Sequence, residues 1–206
     1  MRDNGSISLR ERKAAFDKRT AQYMGMGFDR IAAADFVIGA ACRLEGPALD
    51  IGTGRGMTAI ALARRELDVV SIDVDTADQD LAALLAEGAG LGHRIRFACG
   101  DASALSFSDG EFGCVAMMDV LHHLLDPLTA FGEIARVLAP SGALILADFS
   151  PEGFDLISRA HREQGREHPV LGVSIDVAEA AFANIGMKKI ERKNGHYHDV
   201  SVLMKV

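Results

Sequence analysis

The chain predicts an open α/β sheet, mostly parallel, with helices on both faces and an antiparallel hairpin at its carboxyl end. Three observations carry that prediction. From about residue 47 onward, short apolar runs alternate with longer stretches whose apolar residues recur at helical spacing. The runs are apolar throughout, as expected of parallel strands covered on both faces. The tail then alternates on either side of Asn194-Gly195, a dipeptide that favours a tight hairpin turn.

Residues 6–45 contain no convincing strand and predict two helices, broken near Gly25-Met26-Gly27. The predicted strands are Ala48 to Ile51, Val69 to Asp73, Ile95 to Cys99, Cys114 to Asp119 and Ala143 to Phe149. Helical spacing occupies the intervals, at Met57-Ile60-Ala61-Arg64, Leu81-Leu84-Leu85 and Leu128-Phe131-Ile134-Ala135-Leu138. Gly88, Gly90 and Gly92 stop the second of these helices, and Pro140 and Gly142 the third. Residues 151–170 begin as a helix and become irregular around His168-Pro169, and a further helix covers about 175–185. Two strands, around Lys188 to Glu191 and Val200 to Met204, form the hairpin. The length suits one domain. Its expected divisions are a helical cap (1–45), a ligand-binding core (46–150), an insertion with a helix (151–186) and the hairpin (187–206).

Composition sets the outer bounds. Hydrophobic residues make up 49% and charged residues 25%, as in a folded globular protein. The 22 Lys+Arg against 29 Asp+Glu leave a formal charge of −7, which argues against nucleic acid as the main partner. The basic run Arg10, Arg12, Lys13, Lys18 and Arg19 is diluted by Glu11 and Asp17 and reads as a solvated helix face. No segment approaches the ~18 apolar residues of a membrane span. The opening MRDNGSISLRERKAAF lacks the apolar core of a secretion signal. Cys42, Cys99 and Cys114 are odd in number and widely spaced, which points to a reducing, cytoplasmic setting.

The most informative stretch is Leu49-Asp50-Ile51-Gly52-Thr53-Gly54-Arg55-Gly56-Met57, where the first strand turns into the first core helix. Glycines there let a backbone approach a ligand closely. The dinucleotide fingerprint needs a glycine where Met57 stands, and the Gly-Lys-Ser/Thr of a phosphate loop is missing. A loop of the form acidic-x-Gly-x-Gly-x-Gly suits a nucleoside without pyrophosphate. Asp73, 21 residues after Gly52 at the end of the second strand, is placed to accept hydrogen bonds from both ribose hydroxyls, with Asp75 as fallback. Asp101, just after the third strand, is placed to accept from an adenine amino group, with Ala102 and Leu105 covering the ring.

LDIGTGRG, VVSIDVD, GDASALSFSDGEF, VLHHLLDP and RVLAPSGALIL together resemble the class I S-adenosylmethionine-dependent methyltransferases, in particular the small subgroup known as methyltransferase type 11. The resemblance runs from Ala48 to Phe149. It implies a Rossmann-like sheet of seven strands ending in an antiparallel hairpin, and S-adenosylmethionine as cofactor. It also implies cofactor contacts at Asp50, Gly52, Gly54, Asp73, Asp101 and Ala102, with backbone contacts near Met118. Thr53, Gly56 and Val74, inside the same motifs, complete the expected set there. Two departures are Phe112-Gly113, where the family often has Phe-Asp, and Pro140-Ser141-Gly142, where it often has Pro-Gly-Gly.

The implied reaction is in-line displacement of a methyl group, so the protein's main task is alignment. His122, His123 and Asp148, near the carboxyl ends of strands, are the candidate catalytic groups, with a structural role for the histidines weighed beside that. Tyr23, in a helix carrying Phe16, Met24, Met26 and Phe28, is the residue expected to reach the cofactor's methionine end. Residues 6–45 and an insertion from Phe154 to Leu171 would wall the acceptor site. Both are short, which favours a small-molecule acceptor. His161, His168, His196 and His198 lack carboxylate or cysteine partners at ligand spacing and read as surface histidines, not a metal site. Two other readings stay open: a regulatory protein that binds S-adenosylmethionine or S-adenosylhomocysteine without turnover, and an RNA or protein methyltransferase using the basic arm 10–19.

Overall fold

A computed structural model describes residues 8–163, 165 and 172–206. Two helices come first, α1 (Leu9–Gly25) and α2 (Arg30–Ile38). A capping box between Ser8 and Glu11 starts α1, and the Asp29 carboxylate caps α2 by accepting from the amides of Ile31 and Ala32. Gly27, with φ +85°, turns the chain between them. The remainder alternates: β1 (Ala48–Ile51), α3 (Met57–Ala63), β2 (Val69–Asp73), α4 (Gln79–Gly88), β3 (Ile95–Cys99), β4 (Phe112–Met118), α5 (Pro127–Val137), β5 (Leu138–Phe149), α6 (Pro151–Arg162), α7 (Ile175–Asn184), β6 (Met187–Gly195) and β7 (His198–Lys205). Short 3-10 turns cover Gly92–Arg94 and Leu121–His123. Helices α5 and α6 open with proline after a capping side chain, Asp126 and Ser150.

The seven strands form one sheet in the order β3-β2-β1-β4-β5-β7-β6. β7 runs antiparallel to both β5 and β6, and the other neighbouring pairs are parallel. Strand alternation sorts the core into two layers. Ala48, Cys114, Ala116, Ile145 and Ala147 face the layer holding α2 and α3. Leu49, Val115, Met117, Leu144 and Leu146 face the layer holding α5 and α7. The strand order reverses between β1 and β4, the place where open α/β sheets leave a crevice beyond their carboxyl ends.

Three expectations need correction. The hairpin turn is His196-Tyr197, with φ of +49° and +65°, not Asn194-Gly195. Both of the latter are paired in the ladder, Asn194 opposite Asp199 and Gly195 opposite His198. Gly195 is needed for another reason: a Cβ there would lie 2.8 Å from the Phe36 ring. Second, β5 begins at Leu138, so Pro140-Ser141-Gly142 lies within a strand that follows α5 directly. Third, the basic run of α1 is more than a solvated face. Arg12 reaches across to Asp80 and to the carbonyl of Ala77, fastening α1 to the start of α4. His168, and the part of the expected wall at 164 and 166–171, lie outside the described residues.

Candidate functional site

Two cavities, of about 310 and 500 Å³, open side by side at the carboxyl edge of the sheet. They share Gly52, Asp73, Val74, Val120 and His123. The smaller is lined further by Gly100, Asp101, Ala102, Ser103, Leu124 and Leu125, and the larger by Thr53, Gly54, Met57, Thr58, Met118, Asp119 and Phe149. Arg19, Phe28 and Arg30, from the two amino-terminal helices and the turn joining them, close the larger one.

The glycine loop lies between the cavities. Gly52, Gly54 and Gly56 all have positive φ, at +91°, +47° and +77°. A Cβ on Gly52 would sit 2.3 Å from a methyl of Val120, so no other residue fits. Four of the loop's amides are already used: Gly52 and Thr53 donate to the carbonyl of Ile72, Gly54 to Asp73 Oδ2, and Gly56 to the carbonyl of Thr53. A phosphate cradle needs such amides pointing outward. This loop instead offers its surface and the Asp73 carboxylate.

Asp73 accepts from the amides of Gly54 and Asp75, which fixes its orientation at the cavity wall. Asp75 caps the amide of Ala77 and lines neither cavity. Asp101 accepts from the amide and hydroxyl of Ser103, contacts that hold its pKa below the usual carboxylate range. Ala102 is buried against the smaller cavity, whereas Leu105 lies in the core and lines neither. Val74 and Leu125, both lining the smaller cavity, stay 70% and 86% exposed. Met118 accepts a long hydrogen bond from Thr58 Oγ1 at 3.7 Å.

Asp50 lines neither cavity. It is wholly buried beneath the glycine loop, and its Oδ2 accepts from Ser71 Oγ at 2.7 Å, which in turn contacts Thr53 Oγ1 at 2.7 Å. Burial pushes its pKa up to about 7, the Ser71 hydrogen bond opposing and the Asp73 charge adding to the rise. Its Oδ1 has no hydrogen-bond partner. The expected contact surface is thus a support behind it. Tyr23 is likewise set back: it is 2% exposed and Arg30 lies over its ring at 4.9 Å, so Arg30 faces the cavity in its place.

The candidate catalytic groups separate into two kinds. His122 and Asp148 are buried and paired, His122 Nδ1 to Asp148 Oδ1 at 2.6 Å, while Asp148 Oδ2 accepts from the backbone amide of His122. His123 stands at the rim of both cavities, its ring centroid 4.0 Å from that of His122. Partial burial, and then the neighbouring His122, hold its pKa below the ordinary histidine value.

Sequence reasoning missed a second histidine–carboxylate pair. His198 is not a surface histidine: it is fully buried on β7, with Nδ1 2.7 Å from the carbonyl of His196 and Nε2 3.0 Å from Asp119 Oδ1. Burial lowers its pKa, but the Asp119 charge and hydrogen bonds to Asp119 and His196 outweigh that and raise it. Asp119 has φ +59°, costly for a residue with a side chain, and lines the larger cavity. The rings of Phe28, Phe149 and Tyr197 pack edge-on or tilted around one another and His198, its partner. Among the described residues, no group of three or more His, Cys, Asp or Glu side chains is gathered to hold a metal ion.

Comparison with known proteins agrees with this architecture. Residues 49–146 match a family model described as a methyltransferase domain. The chain is 33% identical over 145 residues to a 27-O-demethylrifamycin SV methyltransferase of Amycolatopsis mediterranei, covering 68% of this chain and 53% of that protein. It is 35% identical over 127 residues to a demethylmenaquinone methyltransferase of Thermus thermophilus, covering 60% and 57%. The chain therefore spans about half the length of these curated relatives. The crystal structure of the [4+2]-cyclase SpnF shares the fold with a TM-score of 0.69 at 19% identity, over 85% of this chain and 80% of that one. The chain thus has the fold of S-adenosylmethionine-dependent methyltransferase structures, and its residues 49–146 are similar to the methyltransferase-domain family.

Proposed function

We propose that the protein transfers a methyl group from S-adenosylmethionine to a small-molecule acceptor. The observation that carries this reading is the pairing of Asp73 and Asp101 across a cavity with an apolar mouth, next to a loop whose three glycine amides are all satisfied internally. These residues fit an adenosyl group without phosphates. In this reading Asp73 accepts from the ribose hydroxyls and Asp101 from the adenine amino group. Val74, Ala102 and Leu125 enclose the base, with Gly52, Thr53, Gly54, Gly56 and Met118 shaping the path to the methionine end. Asp50 supports the loop from beneath.

When bound, the cofactor supplies a methyl group activated on a sulfonium. The chain's own residues align the acceptor and manage its proton. His123 is the proton acceptor in this reading, because its lowered pKa leaves a neutral imidazole at the junction of the two cavities. His122 and Asp148 hold the segment that presents it. The amino-terminal helices act as a cap, within one domain, and the expected setting is the cytoplasm. The described residues contain no helix long and apolar enough to cross a membrane.

The SpnF likeness keeps a second reading in view, since one fold hosts more than one chemistry. A binding protein without turnover would retain the nucleoside site and leave methyl transfer out. Calorimetric titration with S-adenosylmethionine, S-adenosylhomocysteine and NAD tests the first step. Saturable binding of the two sulfur nucleosides and none of NAD is expected; absence of both in folded protein would overturn the reading. Release of S-adenosylhomocysteine in the presence of an acceptor panel then separates enzyme from binder.

A further inference from the structure

Four arginines gather where α1, α2, the glycine loop and α4 meet, around a small cavity of about 70 Å³. Two of them are discharged locally. Arg55 pairs with Asp78, and Arg12 with Asp80. Arg19 and Arg30 make no hydrogen bond or ion pair within the described residues, and both also line the 500 Å³ cavity beside the glycine loop.

Arg30 bears three separate costs. Burial lowers its pKa, with Tyr23 and Asp119 opposing, and Arg19 close enough to repel it. It is also the first residue of α2, where the helix dipole favours anions over cations. The ring of Tyr23 beneath it offsets part of this, as does Asp119. However, the Asp119 carboxylate is already engaged with the buried His198. A guanidinium kept half-buried at a helix N-terminus, with no hydrogen-bonded anion among the described residues, breaks several local rules at once, and such places are where ligands supply the missing partner.

We infer that Arg19 and Arg30 bind an oxyanionic group, carboxylate or phosphate, of the methyl acceptor, whose apolar body lies against Phe28 and Phe149. This rests on the proposed methyltransferase reading and narrows its acceptor class. Charge supports assigning the anion to the acceptor. The cofactor brings its own ammonium and sulfonium against a single carboxylate, so loading it adds net positive charge to a cavity where Arg19 and Arg30 face the Asp73 and Asp119 carboxylates without a hydrogen bond or ion pair to either. An anionic acceptor restores the balance, and guanidinium geometry suits a bidentate oxyanion.

The test uses the full chain with and without saturating S-adenosylhomocysteine, so that failure of the cofactor site and failure of the anion site are read separately. The probes are 4-hydroxybenzoate, phenyl phosphate and the neutral 4-hydroxybenzyl alcohol, titrated calorimetrically. At least one anion should bind and the alcohol should bind at least about tenfold more weakly, the scale of one charged hydrogen bond. Whichever anion binds more tightly names the group. Arg19→Gln and Arg30→Gln should each weaken that anion by about tenfold, Arg30→Lys by less, with S-adenosylhomocysteine affinity changed less than about threefold. The inference is overturned if neither anion binds, or if the glutamine variants leave anion binding unchanged. It is also overturned if they weaken S-adenosylhomocysteine but not 5′-methylthioadenosine, which lacks the carboxylate: the arginines would then serve the cofactor. Melting curves of the variants show whether each is folded, and Arg30→Lys keeps the charge should either glutamine variant fail that check.

Discussion

The two sides of the cleft are built by different rules. On the side of β1, β2 and β3, each cavity-facing group comes from a strand end or the loop just beyond it, and its partners lie within about one strand-turn-helix unit: Gly54 with Asp73, Asp73 with Asp75, Asp101 with Ser103. On the side of α1, α2, β5 and β7, the wall is assembled from distant parts of the chain. Phe28 packs on Phe149 and His198, and His198 reaches Asp119, a contact spanning 79 residues. In the proposed reading the first side is the socket for the cofactor. The second is a tertiary assembly in which a few substitutions would change what is admitted.

The comparison can be broken most directly at the loop. Gly52→Ala would force a left-handed conformation on alanine and drive its methyl into Val120. Strain of about 1–3 kcal/mol plus the clash should reduce S-adenosylhomocysteine affinity by at least about a hundredfold, with a lower melting temperature. Calorimetry on the folded variant checks it, and near-normal affinity would show that the loop tolerates remodelling. Next comes Asp73→Ala, which should weaken the nucleoside by roughly tenfold to a hundredfold through loss of charged hydrogen bonds. Asp75→Ala should change it by less than about threefold, because Asp75 is turned to the Ala77 amide. Equal losses for the two variants would move the ribose contact off Asp73.

This division also explains what could be read from the amino acids alone. β1, β2 and β3 have the expected bounds to the residue, because short, largely apolar runs bounded by polar residues, Gly or Pro stand out against the helical spacing around them. The glycine loop was legible because positive φ and close approach leave a sequence mark. Asp50 was recognised as part of the motif, but its depth was not: whether a strand-end carboxylate faces a ligand or the layer beneath depends on the turn that follows. Arg30 did leave one unused signal, a cation directly after the capping Asp29, at the wrong end of a helix. Asp119 and His198 left none. Their meeting is fixed by the β5–β7 register, which places His198 opposite Phe149, and that pairing emerges only from the assembled sheet.

Asp50 offers a smaller test on the socket side. Its pKa is raised from the unfolded carboxylate value of 3.8 to about 7 by burial. The folded chain therefore holds a proton that the unfolded chain has released, so stability falls as pH rises from about 4 to about 7 and levels off above. Asp50→Asn cannot ionise. Its melting temperature relative to wild type should rise across that window, and a difference independent of pH from 4 to 8 would show that Asp50 does not titrate there.

The smallest effect is expected on the assembled side, and it is spectroscopic. In His198 burial favours the neutral ring, yet the Asp119 charge outweighs it and raises the pKa, aided by the hydrogen bonds to Asp119 and the His196 carbonyl. With acceptors at both nitrogens, the imidazolium is the form that satisfies every contact. Its contribution to stability is present below the unfolded histidine pKa and lost as pH rises through the elevated folded value. Asp119→Asn removes the charge while keeping a hydrogen-bonding group, so burial should prevail and the pKa fall below that of a free histidine. Nitrogen-15 chemical shifts of His198 followed from pH 5 to 9 measure this directly. A titration that does not move on substitution would mean that Asp119 is not what holds the proton, and the larger cavity would lose its built-in carboxylate–imidazolium wall.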